Sequence, residues 1–344
     1  NMLYYYALLY YNINLKQIKT MKKIHIISTL IGLLIFSTLA KAELKVVTSI
    51  KPIHSLASYI MDGVGSPGLI VDGYNSPHSF QLKPSHAKML EQADIIFWIG
   101  EDLENFLEKP LDTIAKKAEK IELLEIKNIK KLKFRERNIF EEHEEHDDHG
   151  HDAKKEEHDD HGHDAKKEEH DNHEEHGHGE YDPHIWLDPI NAKIILNEIT
   201  EHLIENDSKN ASTYKSNLAK ALAKIDKLII DVITETNTDL SYVVFHDAYQ
   251  YYENRFNVNI LGAMTVNPDV MPGAEQIHEI HEVIEHDNVS CILSEPQFNP
   301  DIIKSIAKDT SVKTGVLDPL GANLKPGKNL YFDLIRNMSS SFNC

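Results

Sequence analysis

DIIFWIG, residues 94–100, decides how the chain is read. Five apolar residues in succession, with Asp94 in front and Gly100 behind, leave no polar face, so the segment reads as a strand buried on both sides. Comparable runs flank it at LKVVTSI (44–50), GLIVDGY (68–74) and KIELLEI (120–126). The second half repeats the style with SYVVFH (241–246), NILGAMTV (259–266), SCILSEP (290–296) and SVKTGVLD (311–318). Helical stretches with apolar spacings of three and four alternate with these runs, among them PIHSLASYIMDG, PSHAKMLEQA, ENFLEKPLDTIAKKA, PGAEQIHEIHEVIEH and NPDIIKSIAKDT. Near-continuous apolar strands joined by helices predict parallel sheets covered on both faces.

The stretch between the two halves has no strand signal. DPINAKIILNEITEHLIEN (188–206) reads as one amphipathic helix, with Asp188-Pro189 suited to its start. After a break at Asn206-Asp207-Ser208, the apolar positions Leu218, Leu222, Ile225, Leu228, Ile229 and Val232 predict a second helix. At 1.5 Å per residue it would extend to roughly 40 Å, long enough for a stiff strut between lobes. The expected fold is therefore α/β, with two lobes, each a mainly parallel four-stranded sheet flanked by helices, joined by a long rigid helix. The expected boundaries are 43–208 for the N-terminal lobe, 209–236 for the interlobe helix and 237–344 for the C-terminal lobe.

Residues 21–42, MKKIHIISTLIGLLIFSTLAKA, have a basic start, an apolar run and a small-x-small ending. They read as a cleaved secretory signal peptide, because the apolar run is shorter than the roughly 20 residues of a spanning helix. Residues 1–20 fit no such leader and are expected to be an extension ahead of the true initiator Met21. The mature chain is then exported, with no stable membrane insertion. In an oxidising compartment its two cysteines, Cys291 and Cys344, are expected to pair, the alternative being two unrelated thiols.

The net charge of −19 is concentrated locally, since residues 141–180 alone sum to −14. No basic stripe is left for nucleic acid. That tract repeats HDDHGHDAKKEE and carries His143, His146, His149, His151, His158, His161, His163, His170, His173, His176 and His178. Lacking aromatic and nearly all aliphatic residues, it cannot bury enough area to offset its ordering entropy, and reads as a disordered insertion with weak secondary metal sites.

Ligands in open α/β sheets bind beyond the carboxyl ends of the strands. His78 follows the strand GLIVDGY, His246 ends SYVVF, Asp318 ends SVKTGVL, and His184 sits in the turn-rich YDPHIWLDP ahead of a helix. For any one histidine an ordinary polar role is the simpler reading; three at element ends together suggest a metal centre. His278, His281 and His286 share a glutamate-rich helix whose HEVIEH matches no zincin motif, and they read as a solvated face.

NSPHSFQLKPSHAKMLEQADIIFWIGEDLENFL, DPHIWLDPINA, VVFHDAYQYY, NPDVMPGAEQIHEI, SEPQFNP and LDPLGANL together resemble the zinc-specific solute-binding proteins of bacterial ABC importers, the ZnuA-like members of the cluster A-I metal receptors. The resemblance runs from about Leu44 to the C-terminus and includes a His-rich acidic insertion. It implies two α/β lobes with one metal in the cleft between them, ligands at His78, His184 and His246, and a disulfide between Cys291 and Cys344. Asp318 is the candidate fourth ligand by analogy with manganese relatives, water being the alternative; Pro77 stands where some zinc receptors carry glutamate. The implied function is a non-catalytic, monomeric periplasmic receptor that captures Zn²⁺ as cargo and delivers it to an inner-membrane permease driven by a cytoplasmic ATPase. The rivals are a zinc hydrolase or hydratase, for which Asp247 or Glu295 would have to serve as base, and a periplasmic metal buffer or adhesin-like protein.

Overall fold

The computed structural model describes residues 43–135, 179–265, 268, 272–308 and 310–344, together with scattered helical positions among residues 2–23. The signal segment beyond residue 23 and all eleven histidines of the repeat tract lie outside the described residues. The chain divides into two compact units, Asn1–Glu43 and Leu44–Cys344. Among the described residues no helix is long and apolar enough to cross a membrane.

Within Leu44–Cys344 the first sheet comprises β1 (Val46–Ile50), β2 (Gly68–Val71), β3 (Ile95–Trp98) and β4 (Glu119–Glu122) in the order β2-β1-β3-β4. The second comprises β5 (Ser241–His246), β6 (Asn259–Thr265), β7 (Cys291–Ser294) and β8 (Lys313–Val316) in the order β6-β5-β7-β8. Every described pairing within these two sheets is parallel. The two halves thus carry one topology twice, as the alternating pattern predicts. Both central strands of the first sheet are buried throughout, VVTSI in β1 and IIFW in β3, which is why neither shows an amphipathic alternation.

The crossover helices are α1 (Lys51–Ile60), α2 (Pro84–Glu91) and α3 (Glu101–Thr113) in the first half. A 3₁₀ turn (Ile185–Leu187) leads into α4 (Pro189–Asn206), where Asp188 caps the helix by accepting from Ile190 N and Pro189 occupies the first turn. The strut is α5 (Ala211–Glu235), whose 25 residues bury Tyr214, Asn217, Ala221, Ile225, Leu228 and Val232 along one stripe. The second half adds α6 (Gln250–Phe256), α7 (Ala274–His286), α8 (Asp301–Lys308) and α9 (Leu330–Ser341).

Two of these helices, α6 and α9, are absent from the sequence reading. Helix α9 packs on the first half: Tyr331 N donates to Ser55 Oγ of α1, and the Tyr59 and Phe332 rings lie 5.6 Å apart. Asn217 of α5 in turn donates to the carbonyls of Ile60 and Asp62 at the end of α1. One buried apolar cluster accordingly runs from Val46 of the first sheet through α4 and α5 to Phe342, so the halves share a core. A smaller cluster around Phe245, Leu261 and Ile292 covers the remaining face of the second sheet.

Cys291 at the start of β7 is bonded to Cys344, with Cα atoms 6.6 Å apart, closing a loop 53 residues long. Replacing both by serine should lower unfolding free energy in denaturant by about 2–4 kcal/mol, through the loop entropy returned to the unfolded chain. An unchanged midpoint would show that the bridge adds nothing.

Glu104 is fully buried where α3 kinks, its Oε2 accepting from Ile99 N and Gly100 N at the end of β3. Burial raises its pKa from 4.5 to about 7. Between those values the unfolded chain releases the proton while the folded chain keeps it, so stability falls as pH rises from about 4.5 and levels off above about 7. The full shift corresponds to about 3 kcal/mol. Glu104→Gln should flatten this slope, making urea midpoints at pH 5 and pH 8 closer than in the parent chain.

Candidate metal centre

In a sheet of order 2-1-3-4 the crevice opens where the order reverses, between the first and third strands. In the second sheet those strands are β5 and β7. His246 is the last residue of β5, and Glu295 immediately follows β7. Their proximity is therefore a product of topology, and the side chains meet: His246 Nδ1 lies 2.6 Å from Glu295 Oε1. The same oxygen accepts from Tyr249 OH at 2.9 Å, which fixes the carboxylate in turn.

His184 is brought to the same crevice by the turn ahead of the 3₁₀ element. Its backbone N–H donates to Asp182 Oδ1 at 2.9 Å, and its ring Nδ1 lies 2.7 Å from that oxygen. His78 arrives from the loop after β2, its backbone N–H donating to Ser76 Oγ. One ring nitrogen from each of His78, His184 and His246 lies within 4.8 Å of the other two. His184 and His246 are buried and His78 is half-buried.

The decisive distance is 3.4 Å between His184 Nε2 and His246 Nε2. Four-coordinate zinc binds imidazole nitrogen at roughly 2.0–2.1 Å, and the edge of such a tetrahedron is about 3.3–3.4 Å. Carboxylates at both Nδ1 atoms select the tautomer with the proton on Nδ1, leaving the Nε2 lone pairs to converge. Burial and the adjacent His246 ring hold His184 well below the usual imidazole range. Burial disfavours charge on His246 as well, but the Glu295 carboxylate outweighs it and raises its affinity for a proton. A dication at Nε2 would take over that role.

The chamber around the rings is bounded by Pro77, Trp186, Phe298, Pro319 and Leu320 and has room for a water-sized occupant only. Ser76, Gln297 and Phe298 also line a wider groove that includes Tyr74, Lys83 and Pro268, giving a route outward. Further carboxyl groups crowd the rings from behind. Asp182 and Asp247 are buried, and burial raises each to about 7. Such an accumulation of acidic groups complements a positive guest.

Of the residues singled out in the sequence, three histidines come together. Asp318 does not join them: its Oδ1 accepts from Leu320 N, Gly321 N and Gln297 Nε2, and its Oδ2 from Ala322 N, so it caps the turn after β8. The His278 side chain is exposed beside Glu282, as expected of a solvated face. The sequence reading missed the orienting groups. Asp182 lies two residues before His184, a local signal that was available, whereas the Glu295 contact depends on strand order and has no local signature. Arg135, which reaches Asp247, gave no signal at all.

Comparison with known proteins follows the same direction. The family described as the periplasmic zinc-uptake complex component A, ZnuA, matches residues 46–343. A high-affinity zinc uptake system protein ZnuA of Brucella abortus is 45% identical over 308 residues, covering 89% of this chain and 92% of that protein. The ZnuA of Haemophilus influenzae is 39% identical over 337 residues, covering 94% and 98%. A crystal structure of a ZnuA superposes with a TM-score of 0.66 at 20% identity, over 87% of this chain and 99% of that one, and shows the shared fold.

If the carboxylates orient the rings, Asp182→Asn and Glu295→Gln should each weaken Co²⁺ binding about 10–100-fold, the usual cost of losing a partner of a ligating histidine. Titration followed by cobalt absorbance measures this, and affinities unchanged in both variants would exclude an orienting role.

Proposed function

The chain belongs to the ZnuA family of periplasmic zinc-uptake components, and we propose that it captures Zn²⁺ through His78, His184 and His246 as cargo for import. The observation that carries this reading is the 3.4 Å approach of His184 Nε2 to His246 Nε2, with His78 closing the third corner. Three neutral imidazoles suit a borderline-soft ion that prefers tetrahedral nitrogen and sulfur sites, and water supplies the fourth position, since Asp318 is occupied with its own turn. Nanomolar capture amounts to about 12 kcal/mol, within reach of three ligands of which two, His184 and His246, are already oriented.

The chamber also bears on the alternative of a hydrolase. Small-molecule sites usually enclose roughly 300–1,000 Å³, whereas the pocket at the three rings has room for little more than an ion, the wider groove lying outside it. The two acids available as bases are engaged, Glu295 with His246 and Tyr249, Asp247 with Arg135. The protein acts as a non-catalytic, monomeric receptor in the periplasm and hands its ion to a membrane permease coupled to an ATPase. The repeat tract, residues 141–180, collects further cations weakly and contributes nothing to the tight site.

Zinc titration against a competing chelator tests these assignments together. The parent chain and a variant lacking residues 141–180 should each bind one zinc tightly, while His78→Ala, His184→Ala and His246→Ala should each lose at least about 100-fold, roughly 2.7 kcal/mol. Loss of the tight site on deleting the tract, or its survival in the histidine variants, would overturn the reading.

A further inference from the structure

His184 precedes the strut in sequence, yet its segment is fastened to the second half of the molecule. The chain on either side of the repeat tract forms a short antiparallel ribbon: Lys133 bridges Tyr181, Asp182 N donates to Leu132 O at 2.8 Å, and Phe134 N donates to Glu180 O. Helix α6, three residues beyond Asp247, holds that ribbon. Tyr251 OH accepts from Leu132 N and donates to Asp182 O, and Gln250 Nε2 donates to Lys133 O. Downstream of His184, Arg255 of the same helix makes a two-pronged contact with Asp188, with both N···O distances 2.7 Å.

Arg135 completes the attachment. Its Nη1 donates to Asp247 Oδ1 at 2.9 Å and to Glu253 Oε1 at 3.0 Å, and its Nη2 to Glu253 Oε2 at 2.6 Å. Asp247 is buried and directly follows His246, so the guanidinium grips the strand end that presents one proposed ligand while belonging to the ribbon that presents another. A planar fork can satisfy two carboxylates at once in a fixed geometry, which an ammonium cannot.

Resting on the three-histidine reading, we propose that Arg135 is a positioning residue for the metal centre: by clamping the ribbon to Asp247 and Glu253 it sets the His184 ring against the His246 ring. The two histidines then form a half-site built on α6, and His78, from the loop after β2, is the ligand that completes it. The root of the repeat tract is thereby wired to the tight site without supplying a ligand to it.

The test uses the full chain. Arg135→Gln should lower zinc affinity at least about tenfold, and at Co²⁺ saturation its visible absorption should be weaker or displaced, because the two rings no longer meet the ion at the same angle. Arg135→Lys, which keeps the charge and loses the fork, should fall between the two and carries the test if Arg135→Gln does not fold. Zinc affinity within twofold of the parent in the variant that folds would overturn the proposal. So would a weaker affinity with an unchanged cobalt spectrum, since that result describes general loosening and not misplaced rings. A parent chain whose tight site ignores the three histidines would instead sink the functional reading, a separate result.

Discussion

The Nε2 atoms of His184 and His246 lie 3.4 Å apart in a buried chamber, and each ring is held from its far side. Asp182 and Glu295 do the holding, and further contacts keep those carboxylates where they are. Tyr249 fixes Glu295, while the peptide N–H of His184 and the Tyr251 contact at its carbonyl fix Asp182. The geometry of these two rings is thus paid for by secondary contacts made during folding, so both Nε2 atoms are oriented in the folded chain. Preorganisation of this kind is what would let three modest donors make the tight site proposed above.

The sheet topology explains why the site stands where it does. Each half has its middle pair of strands running parallel with the connections diverging to either side, so a crevice opens at their carboxyl ends. In the second half that crevice holds His246 and Glu295. In the first half the corresponding strand ends are filled by Glu104, which folds back onto the backbone N–H groups of Ile99 and Gly100. One crevice gathers the candidate ligands and the other is closed by a buried acid. The shared core, with α9 returning to α1, leaves the halves joined by more than the strut.

The arrangement of charge has a similar logic. Asp182, Asp247 and Glu295 are buried around the histidines, with Glu253 partly covered beside Arg135. Unpaired ionised groups in such surroundings are costly, which is why burial lifts Asp182, Asp247 and Glu253 to about 7. Arg135 relieves part of that cost in the folded chain, and a dication at the imidazoles would relieve more. The site is therefore electrostatically biased toward a positive occupant before any ligand bond forms.

Local pattern was enough to read the strands, most helices and the three histidines, because unbroken apolar runs and element ends are properties of a few neighbouring residues. DIIFWIG reads as a doubly covered strand, and His78, His184 and His246 could be picked out by their places at turns and strand ends. Helix α6 went unread because seven residues, QYYENRF, carry too little periodicity, and α9 because its place beside α1 is settled by packing. Which acid orients the His246 ring and that Arg135 reaches across to Asp247 were decided by tertiary structure alone. Those contacts join residues 49 to 112 positions apart, and only strand order and the packing of α6 bring them within hydrogen-bond distance.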